Sequence, residues 1–295
     1  MANLCHTKYY DPINPIRKVI SSSGGNAGLA VTTVAQQLEG MEVQVVVPET
    51  TKQIVIDKLT SLGAQVTIHG ENWNAADLLA RSMVEESQGM AAYVSPYDDE
   101  LLWEGHSTVI KEIVEQSSKL DISMKAVVAS VGGGGLLCGI LDGLQNQNIS
   151  HDILVVAAET EGASSFDKGW KAGKAVSLSS IDSIATSLGA LQVTEEAIQK
   201  GKLHIESGGL LQTGVSTDQE AVEACLNFAR DHKMLVEPAC GAALATIYSE
   251  RLRNELFENL TDDDDKSGAI MVEVCGGNAV NLELMNLWQS QFLDS

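Results

Sequence analysis

Three short stretches of the chain are built of small residues; two of them suit an anion and the third carries a thiol. The first is Ser22-Ser23-Gly24-Gly25-Asn26-Ala27-Gly28. Small side chains let the backbone curl tightly, and the N–H groups that open a helix bind a carboxylate or a phosphate. The same residues also fit an ordinary strand-to-helix turn with Asn26 as the helix N-cap. The second stretch is Ser130-Val131-Gly132-Gly133-Gly134-Gly135-Leu136. Four consecutive glycines lose much conformational entropy on folding, so a plain connection has little use for them. Backbone that must touch a phosphate has a reason to carry them. The third stretch, Val274-Cys275-Gly276-Gly277-Asn278, sets a thiol beside a glycine turn. A buried, inert cysteine is the plain alternative for Cys275.

Standard nucleotide motifs fit these loops poorly. The tetraglycine run lacks the G-K-[ST] ending of a P-loop. A dinucleotide site needs an acidic residue about 20 residues further on, and Glu159, at the end of a predicted strand, keeps that alternative open. The six histidines are scattered, without an H-E-x-x-H pair, and read as structural.

The elements that must position these loops alternate in type. Short β-branched runs predict strands over 19–21, 43–47, 65–68, 91–94, 126–130, 153–159 and 269–274. Helical patterns over 27–38, 52–62, 75–86, 101–117, 136–145, 218–232 and 239–259 lie between or after them. Such alternation is the signature of parallel α/β sheets, and continuously apolar strands are buried on both faces. Ligands bind such sheets at the carboxyl ends of strands, where Asn26, the glycine loop, Glu159 and Cys275 are expected to converge. The polar segment 95–105 predicts a domain boundary near Trp103. The run Asp262 to Asp265 reads as a solvated loop, because adjacent like charges repel.

Composition narrows the function classes. The 19 basic against 40 acidic residues give a formal charge of −21, which repels nucleic acid and anionic membrane surfaces. The longest uncharged stretch, 126–141, is too short and glycine-rich for a spanning helix, and the N-terminus lacks a secretory or transit pattern. Five widely spaced cysteines outside any C-x-x-C arrangement suggest reduced thiols and a cytoplasmic chain.

Taken in order, SSGGNAG, WEGH (103–106), SVGGGGL, EPACGAAL (237–244) and VCGG resemble the motifs of the pyridoxal-phosphate-dependent L-serine/L-threonine dehydratases of the fold-type II group. The likeness is strongest to the fungal catabolic serine dehydratases and covers about residues 16–285. It implies an α/β fold of two domains with open, mostly parallel twisted sheets. Residues 1–17 are then a remnant of an N-terminal segment, 18–103 a small domain with the asparagine loop, and 104–295 a large domain with the tetraglycine loop, incomplete at its N-terminal part. By the same resemblance Ser22, Ser23, Gly25, Asn26 and Ala27 hold the substrate carboxylate, with Asn26 also near the cofactor ring. Gly132, Gly133, Gly134, Gly135 and Leu136 cradle the phosphate of pyridoxal 5′-phosphate. Cys275, followed by Gly276, faces the pyridine nitrogen, and Glu159 with the backbone of 185–188 lines a monovalent cation site.

The implied reaction is β-elimination of L-serine to pyruvate and ammonia, a step in amino-acid degradation that feeds gluconeogenesis, with the chain as a homodimer or paired with an intact relative. The family's Schiff-base lysine lies in a Ser-x-Lys-x-Arg-Gly element upstream of the asparagine loop, and this sequence contains no such element. The expectation is therefore an N-terminally truncated relative that holds the cofactor noncovalently at best and has little or no activity. A non-catalytic ligand-binding or regulatory protein, and an active dehydratase whose true start lies further upstream, are the alternatives.

Overall fold

The computed structural model describes residues 1–260, 268–277 and 280–294. The acidic run at 262–265 and Asn278 lie outside the described residues. The chain divides into two compact units, Met1–Gly105 and His106–Ser295.

The first unit contains α1 (Ala2–Tyr9), β1 (Lys18–Ser21), α2 (Asn26–Ala35), β2 (Glu42–Val47), α3 (Gln53–Ser61), β3 (Gln65–Ile68), α4 (Trp73–Glu86) and β4 (Ala91–Tyr93); the division falls within α5 (Glu100–Leu120). The sheet is parallel with strand order β3-β2-β1-β4. Alternate strand residues serve opposite faces, as the pleat requires. Val19, Val43, Val45 and Val47 pack with Leu4, Val31 and Leu59 of α1, α2 and α3. Ile20 and Val46 pack with Ala76 and Ala80 of α4. Residues 1–17 thus carry a helix, α1, whose Leu4 and Cys5 are fully buried in the core of this unit.

The second unit continues with β5 (Ser123–Ser130), α6 (Gly135–Asn146), β6 (Leu154–Thr160), α7 (Ser165–Ala172), α8 (Glu195–Glu206), β7 (Leu210–Ser216), α9 (Asp218–His232), α10 (Pro238–Tyr248), α11 (Glu250–Phe257), β8 (Gly268–Val272) and α12 (Leu282–Phe292). Its sheet is also parallel, in the order β7-β6-β5-β8. Every residue of β6 is buried, the mark of a strand covered on both faces.

The two orders are one topology used twice. In each sheet the first strand lies inside, the second and third strands to one side and the fourth to the other. The direction in which strands are added therefore reverses at β1 and at β5, and the loops leaving those strands occupy topological switch points.

Several elements differ from the sequence expectation. Strand β7 was not expected: its Leu210–Ser216 segment carries Gly214 and polar residues, and it lies at the edge of the sheet. Helices α1, α7, α8 and α12 were also not expected. The single helix expected over 239–259 is broken at Ser249, whose extended backbone (φ −80°, ψ 123°) ends α10 and whose hydroxyl accepts from Leu252 N–H to start α11. The strand expected over 269–274 ends at Val272.

Candidate functional site

At the switch point of the first unit, β1 ends at Ser21 and α2 begins at Asn26. The helix N-cap is Gly25, without a side-chain cap bond, and Asn26 is the first helical residue. This corrects the reading of Asn26 as N-cap. Gly28 must be glycine, since a Cβ there would lie 1.9 Å from Ser23 O. Ser22 is fully buried and its hydroxyl donates to Asp77 Oδ1 (2.7 Å) on α4. Its oxygen also lies 3.0 Å from the Tyr93 hydroxyl of β4, which itself donates to Asp77 Oδ1. Arg81 Nε donates to Asp77 Oδ2 (2.8 Å), and its guanidinium sits over the Tyr93 ring, 4.2 Å from the centroid. Burial pushes the Asp77 carboxyl up, but bonds from Tyr93, Arg81 and Ser22 outweigh it and hold the group below the usual aspartate range. The exposed face of the loop is Gly25–Asn26.

At the switch point of the second unit, α6 begins at Gly135 with Gly134 as N-cap in the left-handed region (φ +94°). A Cβ on Gly134 would lie 2.7 Å from Val193 Cγ2 and 2.8 Å from Ala197 Cβ, and one on Gly132 would lie 3.2 Å from Ser187 O. Packing and backbone conformation therefore explain two of the four glycines without a ligand. The helix has no side-chain N-cap and no acidic residue in its first turn. Its first bond runs from Cys138 N–H to Gly134 O, so the preceding N–H groups point out of the positive end. An anionic group such as a phosphate fits such an end.

Because β5, β6 and β8 are neighbours and parallel, the segments leaving them emerge along one edge. Ser187, in the 3₁₀ turn Thr186–Leu188 that packs against Gly132, donates to Glu237 Oε2 (3.0 Å). A Cβ on Gly276 would lie 2.3 Å from the other oxygen, Glu237 Oε1. Gly276 N–H donates to Cys240 Sγ at 3.1 Å. Cys275 is exposed. The tetraglycine loop, Ser187, Glu237, Gly276 and Cys275 thus form one continuous rim. Asn26 lies in the first unit, and the tetraglycine loop, Glu159 and Cys275 lie in the second.

Glu159 is the penultimate residue of β6 and has no exposed surface. Its Oε1 accepts from Phe166 N–H (2.8 Å) and its Oε2 from Asp167 N–H (2.7 Å), capping α7. Burial outweighs both bonds and pushes its carboxyl up to about 8. Among the described residues, no group of three or more His, Cys, Asp or Glu side chains is arranged to hold a metal ion. The 181–188 segment is pinned by Asp218, whose carboxylate accepts from the Ser183 hydroxyl (2.6 Å) and from Ile184 N–H (3.0 Å).

Two further motifs owe their residues to packing. In WEGH, Trp103 Nε1 donates to Tyr97 O (2.7 Å), and a Cβ on Gly105 would press Asn3 Cβ at 2.9 Å. In EPACGAAL, Gly241 lets α10 approach α9, where a Cβ would lie 2.2 Å from Ala221 O. Sequence reading gave no role to Asp77 or Tyr93, and none to the Ser187 side chain. Asp77 and Tyr93 sit 55 and 71 positions from Ser22, beyond any local spacing signal.

Two parallel α/β sheets of one topology, each with a glycine loop at its switch point, and in the second unit a phosphate-ready helix end beside an exposed thiol, are the architecture of fold-type II pyridoxal-phosphate enzymes. The chain belongs to that family: residues 3–261 match the family described as "Pyridoxal-phosphate dependent enzyme". It is similar to an L-serine dehydratase of Saccharomyces cerevisiae, 40% identical over 272 residues, which are 90% of this chain and 78% of the relative. It is likewise 40% identical to the human L-serine dehydratase/L-threonine deaminase, over 92% of this chain and 79% of that protein. Among solved structures, a fungal L-serine ammonia-lyase from Rhizomucor miehei superposes with a TM-score of 0.85 at 30% identity, covering 99% of this chain and 87% of the other.

Proposed function

We propose that this chain is an L-serine dehydratase-like protein acting on a small amino acid. In this reading the N–H groups of Gly132 to Leu136 hold the phosphate of pyridoxal 5′-phosphate, Cys275 and Gly276 meet its ring, and Ser23, Gly25, Asn26 and Ala27 receive the substrate carboxylate. Ser22, buried and bonded to Asp77, fixes the loop from behind. One observation carries the reading: an uncapped, glycine-built start of α6 at the switch point of β5, beside the Cys275 turn that follows the neighbouring strand.

When bound, the cofactor supplies an electron sink for the substrate α-carbon, which lets a β-hydroxyl leave and yields pyruvate and ammonia. The chain's own groups orient the two anionic ends. A thiol at the ring, where a carboxylate would favour a protonated pyridine nitrogen, keeps that nitrogen neutral and suits elimination. The 295 residues hold no Ser-x-Lys-x-Arg-Gly element. Lys18 opens β1 at the end of the strand opposite the asparagine loop. We therefore propose that these residues hold the cofactor without a lysine link and turn over serine slowly, since loss of a general base alone lowers rates by about 10²–10⁴.

The test joins three measurements on the purified chain: cofactor binding by calorimetry, pyruvate release from L-serine, and peptide mapping after borohydride reduction. Saturable binding with near-background pyruvate and no lysine adduct is expected. A stoichiometric adduct on Lys8, Lys18 or another lysine, with turnover, overturns the noncovalent reading; no binding at all overturns the cradle.

A further inference from the structure

The thiols of Cys240 and Cys275 meet at the rim of the site, yet elimination chemistry asks for at most one of them. Cys240 is 1% exposed, at the start of α10. Its sulfur lies 3.1 Å from the peptide nitrogen of Gly276, the atom bonded directly to the Cys275 carbonyl carbon. It also points toward Gly276 O at 3.7 Å. Gly276 is held close because any side chain there would strike Glu237. Cys275 is the exposed member, whereas the other four cysteines are buried, and all five are free thiols.

We infer that Cys275 and Cys240 are a modification site: a vicinal dithiol that a peroxide closes to a reversible disulfide. The Cys275 sulfur attacks one peroxide oxygen, the O–O bond breaks, and the departing hydroxide takes the Cys275 thiol proton to leave as water. Cys275 is then a sulfenic acid. The Cys240 sulfur attacks the Cys275 sulfur, the S–O bond breaks, and the departing hydroxide takes the Cys240 thiol proton as a second water. Two thiols lose two electrons and one peroxide is reduced to two waters. The order of events follows the environments. The hydrogen bond from Cys240 holds the Cys275 thiol below its usual range, while that contact and burial push Cys240 up. Cys275 is accordingly the peroxide-reactive sulfur and Cys240 the resolving one.

The inference rests on the proposed function in one respect: if Cys275 meets the cofactor ring, cofactor and disulfide exclude one another. The experiment treats the full reduced chain with hydrogen peroxide and maps non-reduced peptides by mass. A peptide pair joining Cys240 to Cys275, lighter than the two parts by two hydrogens and released by dithiothreitol, is expected. In Cys240→Ser, the sulfenic acid on Cys275 should persist and be trapped by dimedone. Oxidation that stops at Cys275 in the unaltered chain, or a pairing with another cysteine, overturns the dithiol. With pyridoxal 5′-phosphate at ten times its dissociation constant, cross-linking should slow about tenfold. Cross-linking unaffected by bound cofactor leaves the dithiol standing and removes Cys275 from the cofactor site. Cofactor binding without any cross-link does the reverse.

Discussion

The two units hold equivalent loops by different means. In the first, the loop after β1 is fixed mainly by side chains: Ser22, Asp77, Tyr93 and Arg81 form a connected polar cluster behind it. In the second, the loop after β5 is fixed by close approach of backbone, with Gly132 and Gly134 pressed on Ser187, Val193 and Ala197. In the proposed function, the difference follows from what each loop would present. A helix start that offers its N–H groups to a phosphate loses them to any competing side-chain cap, so removing side chains is the cheapest way to keep them free. A loop that receives a small carboxylate needs a defined shape more than an open one, and buried hydrogen bonds to a charged group supply shape.

Adding a side chain should hurt the second loop, and deleting one should hurt the first. Gly134→Val combines a left-handed backbone with two contacts under 3 Å, so a loss of about 2–5 kcal/mol is expected, read from urea unfolding, with hydrogen exchange rising first in β5 and α6. Unchanged exchange there would mean that the loop relaxes freely. Asp77→Ala strands the Ser22 and Tyr93 hydroxyls and the Arg81 guanidinium, and should lower stability by about 2 kcal/mol with exchange rising in β1 and β4. An equal rise in β5 would dissolve the contrast. Gly25→Ala is the control: a Cβ there meets only Ser23 Oγ, at 3.9 Å. Its cost should stay below about 1 kcal/mol, and a larger value would show that the first loop depends on bare backbone at Gly25 as well as at Gly28.

Much of this arrangement was legible in the sequence because it is local. Strand 65–68 and helix 218–232 coincide with β3 and α9, and both glycine loops stand where a β-branched run gives way to a helical one. Edge strand β7 was hidden: Gly214, needed because Leu256 Cδ1 lies only 3.1 Å from where its Cβ would be, breaks an already polar run. The break at Ser249 was readable, since a serine preceding Glu-Arg-Leu is a helix start, yet the apolar run of 239–248 masked it. Asp77 and Tyr93 were beyond reach, because only the assembled sheet brings residues from α4 and β4 behind a loop from β1.

Glu159 has a thermodynamic consequence for the whole second unit. A residue count assigns it a full charge within the total of −21, but its folded-state acidity, shifted from the ordinary 4.5 to about 8 by burial, keeps it a neutral acid near pH 7. The unfolded glutamate is ionised there, so unfolding becomes a proton-releasing reaction. The stabilising contribution is complete below about 4.5 and declines as pH rises toward 8, at up to about 1.4 kcal/mol per pH unit. Calorimetric unfolding heats at neutral pH should consequently depend on the ionisation enthalpy of the buffer, and Glu159→Gln should lower the number of protons released by about one.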